Sequence, residues 1–332
     1  MADHPDKILR WGLLCTAHIN RALIPAIRNS QRSRLVSVAS RTREKAINYA
    51  QAWEIPRWHD SYESLLSDPE IDVIYNSLPN ALHAKWTIKA LQAGKHVLCE
   101  KPIVLSVSDV DQLSNISHDT SRVVSEAFMY LHHPQTRKVK ELIQGGEIGT
   151  LRFIRGSFTY VLTDENNVRM LPSLGGGSLW DVGCYPISYA RYILESEPEQ
   201  VFGWQTTSPT GIDLSFVGQM KFPGDIHAQF DCSFVTPYTS YMEFVGTQGS
   251  LHIPAPYKPG IGEIIHLTRD DQKIVLEIEG EELYSGEVRD LEEAILHQKP
   301  SQVSLMFSRG NIRTITSLYE SALNNKPVVM TE

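Results

Sequence analysis

The first 125 residues alternate between short apolar runs and longer stretches with helical spacing, and this alternation restricts the chain to few folds. The apolar runs lie at 8–14, 35–39, 71–77, 95–99 and 121–125. The helical stretches lie between them, at 18–28, 42–53, 62–67, 80–93 and 106–118. Strands of about four to seven residues that alternate with helices of about 10–15 residues are typical of βαβ units. This part of the sequence therefore predicts a doubly wound parallel α/β sheet.

After residue 150 the pattern changes to long segments in which apolar and polar residues alternate. These segments lie at 150–162, 212–222, 226–235, 241–246, 249–253, 262–268 and 273–278. Alternation of this kind indicates strands with one face in water, and hence an antiparallel sheet. Helical patterns recur at 134–144, 178–195, 287–297 and 305–323. We therefore predict an α/β domain over residues 1–125 and an α+β domain with a large, mostly antiparallel open sheet over residues 126–332.

The length of 332 residues agrees with two domains, because single cores stop growing at roughly 250–300 residues. The chain is 42% hydrophobic and 21% charged, which excludes disordered and collagen-like classes. A net charge of −8 argues against nucleic acid as a partner, since binding to phosphates needs a basic face. No apolar run approaches the roughly 20 residues of a membrane span, so we expect no membrane partner.

The cysteines and the N-terminus both suggest a reducing compartment. Cys15, Cys99, Cys184 and Cys232 are scattered without CxxC spacing. That distribution favours reduced thiols over a disulfide framework. The stretch from Met1 to Lys7 is polar and lacks the apolar core of a signal peptide. We therefore expect a cytoplasmic protein.

The first predicted strand–helix turn resembles a nucleotide-binding turn. Such a turn needs glycine or another small residue where the backbone meets a pyrophosphate and where helix and strand touch. Gly12 and Ala17 meet two of these needs, and Cys15 stands where a glycine is expected. A helix that begins here would also favour an anion at its N-terminus. A simple strand–helix turn remains the alternative.

The residues after the second predicted strand favour a phosphorylated ribose. Dinucleotide domains often place an acid here to accept the ribose hydroxyls. This chain instead has Ser40 and Arg41, followed by Lys45. A hydroxyl with two cations would suit a 2′-phosphate. The alternative is that Ser40 caps a helix with a solvated basic first turn.

The next two predicted strands end in further candidate residues. Pro79, Asn80 and His83 follow one strand, and Glu100-Lys101-Pro102 follows the other. Open α/β sheets bind ligands at these carboxyl ends. A partly desolvated lysine beside a cationic nicotinamide could act as acid or base, so Lys101 is a candidate for proton transfer. A structural role for this lysine is the alternative.

In the second domain, three glycines precede a predicted helix. Gly175–Gly177 would permit a sharp entry or a close approach to a ligand. Asp181 and Tyr185 follow at a spacing that places both on one helical face. A carboxylate beside a phenol can orient it for proton transfer. A capped helix with a buried tyrosine would show the same pattern.

We found no sequence evidence for a metal. HExxH, GxSxG and GxxxxGK[ST] motifs are absent. The pair His132–His133 lacks a third ligand at suitable spacing, and we expect it at a helix end on the surface.

Taken in order, these residues resemble the glucose–fructose oxidoreductase and inositol dehydrogenase (Gfo/Idh/MocA) family. The resemblance covers nearly the whole chain. Within the family, the sequence is most similar to the branch that contains NADP-dependent D-xylose dehydrogenase and dimeric dihydrodiol dehydrogenase. It is carried by segments 10–14, 40–41, 78–83, 93–102, 126–130 and 175–185. It implies a Rossmann domain, then a domain whose open sheet forms the subunit interface of a homodimer or homotetramer. It also implies hydride exchange between a sugar-like carbinol and nicotinamide C4.

The resemblance assigns roles to particular residues. Lys101 and Tyr185 would carry the proton transfer with help from Asp181, and Pro102 would follow a cis peptide. The implied cofactor contacts are Gly12, Cys15, Thr16, Ala17, His18, Ile19, Ser40, Arg41, Lys45, Ser77, Leu78, Pro79, Asn80, His83, Glu100 and Lys101. Two positions depart from the family pattern, because Cys15 replaces a glycine and Leu131 stands where relatives often carry arginine.

We therefore expect an NADP-dependent oxidoreductase, with NAD as the other possible cofactor. An aldose of the D-xylose or D-glucose type, oxidised at C1, is the first candidate substrate. A ketosugar or dihydrodiol reaction with the same residues is the second hypothesis, and an NADP-binding sensor without activity is the third. Retention of Lys101, Asp181 and Tyr185 together argues against the sensor, which needs none of them.

Overall fold

Parallel strands and helices alternate in the first of the two units into which the chain divides. This unit comprises Met1–Met129 and Tyr284–Arg309, and the second comprises Tyr130–Leu283 and Gly310–Glu332. The computed structural model describes residues 7–330, so the polar N-terminal stretch lies outside the described residues except for Lys7.

The first unit contains a parallel sheet of six strands. Its strands are β1 (Leu9–Leu13), β2 (Ser33–Ala39), β3 (Arg57–His59), β4 (Val73–Asn76), β5 (His96–Glu100) and β6 (Val124–Ala127). Its first helices are α1 (Asn20–Asn29), α2 (Arg43–Ala52), α3 (Tyr62–Leu66), α4 (His83–Gln92) and α5 (Val107–Thr120). The strand order β3-β2-β1-β4-β5-β6 confirms the predicted doubly wound α/β fold. β3 was not predicted, because three residues with two basic side chains have no apolar pattern to reveal them.

The second unit contains a sheet of nine strands. Its elements are α6 (Pro134–Gln144), β7 (Leu151–Thr159), α7 (Cys184–Leu194), β8 (Gln200–Thr207), β9 (Asp213–Phe222), β10 (Ile226–Ser233), β11 (Thr239–Gly246), β12 (Gly249–Ile253), β13 (Gly262–Arg269) and β14 (Gln272–Glu279). The chain ends with α8 (Ser285–Leu296), α9 (Leu305–Asn324) and β15 (Val328–Val329).

The nine strands are antiparallel except for one pair. Their order is β14-β13-β12-β11-β7-β10-β9-β8-β15, and only β7 and β10 run parallel to each other. This confirms the predicted mostly antiparallel sheet. Strands β8 and β15 were not predicted. β8 contains Gly203 and an exposed Trp204, so its sequence lacks a regular apolar alternation.

Helix α8 belongs to the first unit, although the sequence places its residues in the second domain. Its apolar residues Val288, Leu291 and Leu296 join the core cluster that surrounds Trp11 of β1 and Leu23 of α1. The reason is long-range packing, since burial of this apolar face needs a partner far away in sequence. The first unit therefore consists of two chain segments.

Among the described residues, no helix is both long enough and apolar enough to span a bilayer. The four cysteines are all buried, and each is a free thiol.

Glycines make room for large side chains on the buried face of the second sheet. Gly203, Gly218 and Phe230 lie side by side on β8, β9 and β10. A Cβ atom on Gly218 would lie 2.3 Å from the Phe230 ring. Gly156 of β7 pairs with Phe230 on its other side, and a Cβ there would lie 2.5 Å from the sulfur of Met242. The missing side chains let the core residues lie flat on the sheet.

We predict that Gly218→Ala destabilises the protein by about 1–3 kcal/mol, the usual cost of overpacking a filled core. The added methyl group has no space beside the buried Phe230 ring. Gly262→Ala is the matched control, because this strand glycine has no heavy atom within 4 Å of a built Cβ. Denaturant unfolding of both variants measures the difference. Equal stability of the two variants would contradict the packing argument.

Candidate functional site

The loop after β1 is tied to the end of β4 by a buried asparagine. The Asn20 amide donates to the Cys15 carbonyl at 2.6 Å, and its own carbonyl oxygen accepts from Ser77 Oγ at 2.6 Å. Cys15 Sγ lies 3.2 Å from the Ser77 carbonyl oxygen. Burial raises the pKa of the Cys15 thiol, which therefore stays neutral. Sequence reasoning missed Asn20, because an asparagine at a helix start normally indicates only capping.

The same loop presents backbone donors to an anion. The N–H groups of Thr16, His18 and Ile19 have no acceptor within residues 7–330. Helix α1 starts directly after them, has no side-chain cap at Ile19 and carries no acid in its first turn. Such a turn fits a pyrophosphate. At Gly12, a Cβ would lie 3.0 Å from Ile71 Cδ1 and 3.1 Å from Leu65 Cδ1, so this glycine permits close packing between the strand and its neighbours.

Cations without acidic partners follow β2. Arg41 and Lys45 are exposed, and neither forms an ion pair in the described part of the chain. Arg43 between them stacks on the Trp58 ring at 5.2 Å. Ser40 is buried and donates its N–H to the His59 carbonyl, so it does not cap α2. The cap position belongs to Thr42, which makes no side-chain capping bond. The alternative interpretation of Ser40 as a helix cap is therefore wrong.

His83 lies beneath the candidate site. Its side chain is fully buried, with Nδ1 2.7 Å from the Pro102 carbonyl oxygen and Nε2 2.6 Å from that of Leu78. Burial lowers the pKa of His83, and the tautomer of the neutral ring decides which of the two carbonyls accepts its hydrogen bond. The residue predicted as a cofactor contact thus connects the loops after β4 and β5. Pro79 and Asn80 lie in the first of these loops, ahead of α4.

The loop that carries Lys101 is fixed on several sides. The Lys101–Pro102 peptide is cis, as the resemblance implied. Tyr75 of β4 donates its hydroxyl to Glu100. Burial raises the pKa of this phenol well above its usual range, so it remains a donor. The N–H of Ile103 donates to buried Glu126 at 2.9 Å. The candidate residues at the ends of β1, β2, β4 and β5 therefore share one edge of the parallel sheet.

In the second unit, the glycine segment brings two distant residues to the start of a helix. A Cβ on Gly176 would lie 2.3 Å from the Arg169 carbonyl oxygen. Gly177 has φ +129°, and its Cβ would lie 2.1 Å from Asp213 Oδ1. Both substitutions would collide with groups that have little freedom to move. The glycines therefore allow the backbone to approach the Arg169 carbonyl on one side and the Asp213 carboxylate on the other.

Asp213 anchors the turn that follows these glycines. One carboxylate oxygen accepts from the Leu179 N–H at 2.7 Å and from Ser178 Oγ at 2.8 Å. The other accepts from the Tyr319 hydroxyl at 2.7 Å. Burial raises the pKa of Asp213, against the effect of these three donors. Neither Asp213 nor Tyr319 was singled out in the sequence, because their partners lie far away along the chain.

Asp181 lies in a π-helical segment rather than in the predicted regular α-helix. This segment spans Leu179–Gly183, and α7 begins at Cys184. Asp181 Oδ2 accepts from the Tyr160 hydroxyl at 2.8 Å and pairs with Arg169 Nε at 2.9 Å. A π-turn widens the helix and is frequent at functional sites. The geometry explains how one carboxylate can meet both partners.

Tyr185 lies in an aromatic cluster. Its ring centroid is 5.6 Å from that of Tyr130, 5.3 Å from Phe158 and 5.5 Å from Tyr257. The residue is 4% exposed. Leu131, the departure from the family pattern, is fully buried.

The histidine pair is buried, contrary to expectation. His133 caps α6 by accepting from the Gln135 N–H, but it is only 1% exposed and His132 only 3%. The helix-end position was right and the surface location was wrong, because distant residues cover the turn: a Cβ on Gly280 would lie 2.7 Å from His133 Nε2. Within residues 7–330, no cluster of three potential ligands could hold a metal ion.

Comparison with known proteins agrees with this arrangement. Residues 9–128 match an oxidoreductase family model with an NAD-binding Rossmann fold, and residues 136–252 match the GFO/IDH/MocA C-terminal domain. The chain is 34% identical over 319 residues to an NADP-dependent D-xylose 1-dehydrogenase of Haloferax volcanii, which covers 95% of this chain and 97% of that protein.

Two further relatives act on other compounds. A dTDP-3,4-didehydro-2,6-dideoxy-alpha-D-glucose 3-reductase of Streptomyces violaceoruber is 33% identical over 81% of each chain. A trans-1,2-dihydrobenzene-1,2-diol dehydrogenase of Xenopus laevis is 31% identical over 74% of this chain and 75% of its own. A solved 3-ketoreductase from Actinomadura kijaniata, in complex with NADP and TDP-benzene, superposes with a TM-score of 0.91 at 26% identity, over 95% of this chain and 98% of that one.

Proposed function

The chain belongs to the GFO/IDH/MocA oxidoreductase family, and within it we propose an NADP-preferring dehydrogenase that oxidises an aldose at C1. The family and its relatives make the protein an NAD(P)-dependent oxidoreductase of sugar-type substrates. The observation that carries the cofactor preference is the pair of cations after β2 that have no acidic partner in the described part of the chain. We further propose a cytoplasmic location, which the four free thiols support.

The residues of the first unit fit a nicotinamide dinucleotide. The N–H groups of Thr16, His18 and Ile19 would hold the pyrophosphate, and Arg41 with Lys45 would hold the 2′-phosphate. When bound, the dinucleotide supplies a nicotinamide C4 that exchanges hydride with the substrate carbon. His83 and Asn20 act on the protein side, where they hold the loops in place.

We propose that Lys101 and Tyr185 handle the substrate hydroxyl proton. Lys101 follows a strand that ends at the ligand-binding edge of the first unit. In the second unit, Tyr185 lies in the first turn of α7, four residues after Asp181, whose carboxylate is held by Arg169 and Tyr160. During oxidation the hydroxyl oxygen of the carbinol would give its proton to this pair, while the carbinol carbon would give its hydride to nicotinamide C4; reduction would run in the opposite direction.

The names of the relatives also narrow the substrate class. D-xylose carries a hydroxyl beside C1, and the dihydrodiol carries oxygens on adjacent carbons by name. The dTDP-sugar is reduced at C3 and is didehydro at positions 3 and 4. We propose that the substrate of this chain likewise bears an oxygen next to the reacting carbon. The reductase of a ketosugar is the second candidate, and it is favoured by the 3-reductase relative.

We predict that Lys101→Met and Tyr185→Phe each lower kcat by about 10²–10⁴, the usual effect of losing a positioned acid–base group. Cofactor binding should stay within a few-fold of wild type. Tyr189→Phe is the control, since this buried tyrosine stacks on Tyr130 one turn further along α7. The assay is turnover of a panel of aldoses, ketosugars and diols with both cofactors. Near-normal turnover in a variant would remove that residue from the mechanism, and cofactor binding without any turnover would favour a sensor.

We predict that NADP is preferred over NAD by tens to thousands of fold. Arg41 and Lys45 would each donate a charge-assisted hydrogen bond to the 2′-phosphate, which NAD lacks, and such bonds contribute about 1.5–3 kcal/mol each. Arg41→Ala should reduce this ratio sharply. Arg43→Ala is a matched control in the same turn, because that guanidinium stacks on Trp58. The measurement is kcat/KM for both cofactors. A wild-type ratio near one, or a ratio unaffected by Arg41→Ala, would defeat the assignment.

We also propose self-association through the second sheet, as a homodimer or homotetramer. Apolar residues of the alternating segments divide between the two faces of this sheet: Phe216, Phe230 and Phe234 are buried, and Val217 is exposed. Phe153 and Trp204 are also about half exposed, and a groove of about 920 Å³ lies beside them on the sheet. A second copy of this sheet would cover such an apolar face.

Light scattering at micromolar concentration should therefore show a species at least twice the mass of the 37.4 kDa chain. Trp204→Glu should shift it towards the monomer, because a charge placed in an apolar interface is costly to desolvate. Glu277→Gln on β14 serves as the surface control. A wild-type monomer would rule out this assembly.

A further inference from the structure

The guanidinium of Arg169 has hydrogen-bond donors directed at no protein group. Its Nε pairs with Asp181 Oδ2 at 2.9 Å. Its Nη1 has only a long contact of 3.4 Å with Asn167 Oδ1, and its Nη2 has no acceptor within residues 7–330. The side chain is 43% exposed. A guanidinium offers five N–H donors in a rigid planar fork, so the outward donors on Nη1 and Nη2 remain available to a ligand.

The backbone of Arg169 is held as firmly as its side chain. Its carbonyl oxygen accepts from the Gly177 N–H at 3.0 Å, in the space that the missing Cβ of Gly176 leaves open. Its own N–H donates to Asn167 Oδ1 at 3.1 Å. A fork held at both ends loses little side-chain entropy when it binds a ligand.

The position of the guanidinium connects it with the proposed acid–base group. The charge of Asp181 raises the pKa of Arg169 above its usual value, and Tyr160 and Tyr185 act in the same direction. Arg169 therefore lies within electrostatic reach of Tyr185. The geometry agrees with this, because the ion pair holds the guanidinium on Asp181, four residues before Tyr185 in the same helical segment.

The ion pair with Asp181 determines which ligand atoms the Arg169 guanidinium can bind well. Asp181 neutralises the guanidinium, so the pair has no net charge with which to attract a phosphate. The outward N–H groups remain good donors to neutral oxygen atoms, and two adjacent donors match two oxygens on adjacent carbons. This contrasts with Arg41 and Lys45, which have no acidic partner in the described residues and suit an anion.

We propose that Arg169 is a specificity-determining residue that donates hydrogen bonds to the oxygen on the carbon next to the reacting carbon of an uncharged polyol. The inference rests on the proposed function, since it uses the same reacting carbon. Asp181 is then the positioning residue that aims the guanidinium. Neutral sugars with a hydroxyl at C2 are the preferred substrates, and analogues without that hydroxyl are rejected because the fork keeps an unmet donor.

The test compares D-glucose with 2-deoxy-D-glucose, which differ only in the oxygen that Arg169 would bind. Binding of each sugar to the enzyme saturated with NADPH is measured by calorimetry, and turnover with NADP is measured separately. We expect wild type to favour D-glucose by about tenfold to hundredfold, the value of one charge-assisted hydrogen bond. Arg169→Met should bring the ratio to within about twofold by weakening D-glucose alone. Arg169→Lys should restore part of it, because a charge remains without the fork.

Arg269→Met is the matched control. That arginine is 41% exposed and pairs with Glu147 at 3.4 Å. It should keep the wild-type ratio, and thermal unfolding should show that all variants are folded. An unchanged ratio in Arg169→Met, an equal loss for both sugars, or no binding of either sugar would overturn the inference. If the ratio in binding depends on Arg169 but no sugar is turned over, the inference stands and the proposed dehydrogenase activity fails.

Discussion

The backbone N–H and C=O groups of a buried loop need hydrogen-bond partners, because the loop has no strand or helix to pair them. The candidate site of this protein depends on the side chains that supply these partners. Strand ends in the first unit and the glycine segment in the second have no ladder to pair their N–H and C=O groups. Four buried polar side chains, Asn20, His83, Glu126 and Asp213, each pair with a backbone group of such a loop. Each therefore fixes the conformation of a segment that carries candidate functional residues. None of them needs to touch a ligand to be important.

The candidate residues of the two units differ in whether their cations have acidic partners. In the first unit, the cations after β2 lack acidic partners in the part of the chain described, so their field is directed at whatever anion enters the site. In the second unit, Arg169 is matched by Asp181, and Asp181 also receives the Tyr160 hydroxyl. An unpaired cation attracts a phosphate, whereas a paired one mainly donates directional hydrogen bonds. The two proposed assignments thus place anion binding in the first unit and recognition of neutral hydroxyl groups in the second.

Much of the fold could be predicted, because periodicity is a local property. The parallel sheet and the alternating strands from 150 onwards are confirmed, and the cis peptide before Pro102 is present. The differences between the prediction and the structure share one cause. β8 and β15 have weak patterns of their own and exist because neighbouring strands pair with them. Likewise, α8 joined the first unit because its apolar face fits the core around Trp11, which local pattern does not reveal.

By itself, the sequence determined the fold class, the edge of the first sheet at which the candidate residues lie and the residue types that stand there, because the alternation of strands and helices follows from hydrophobic spacing along the chain. Only the tertiary structure decided what those residues do with one another. His83 lies between two loops and Ser40 is buried, while Arg169, Asp213 and Tyr319 come together around the glycine segment. Hydrogen bonds join atoms that are close in space and not in sequence, so no spacing along the chain encodes them.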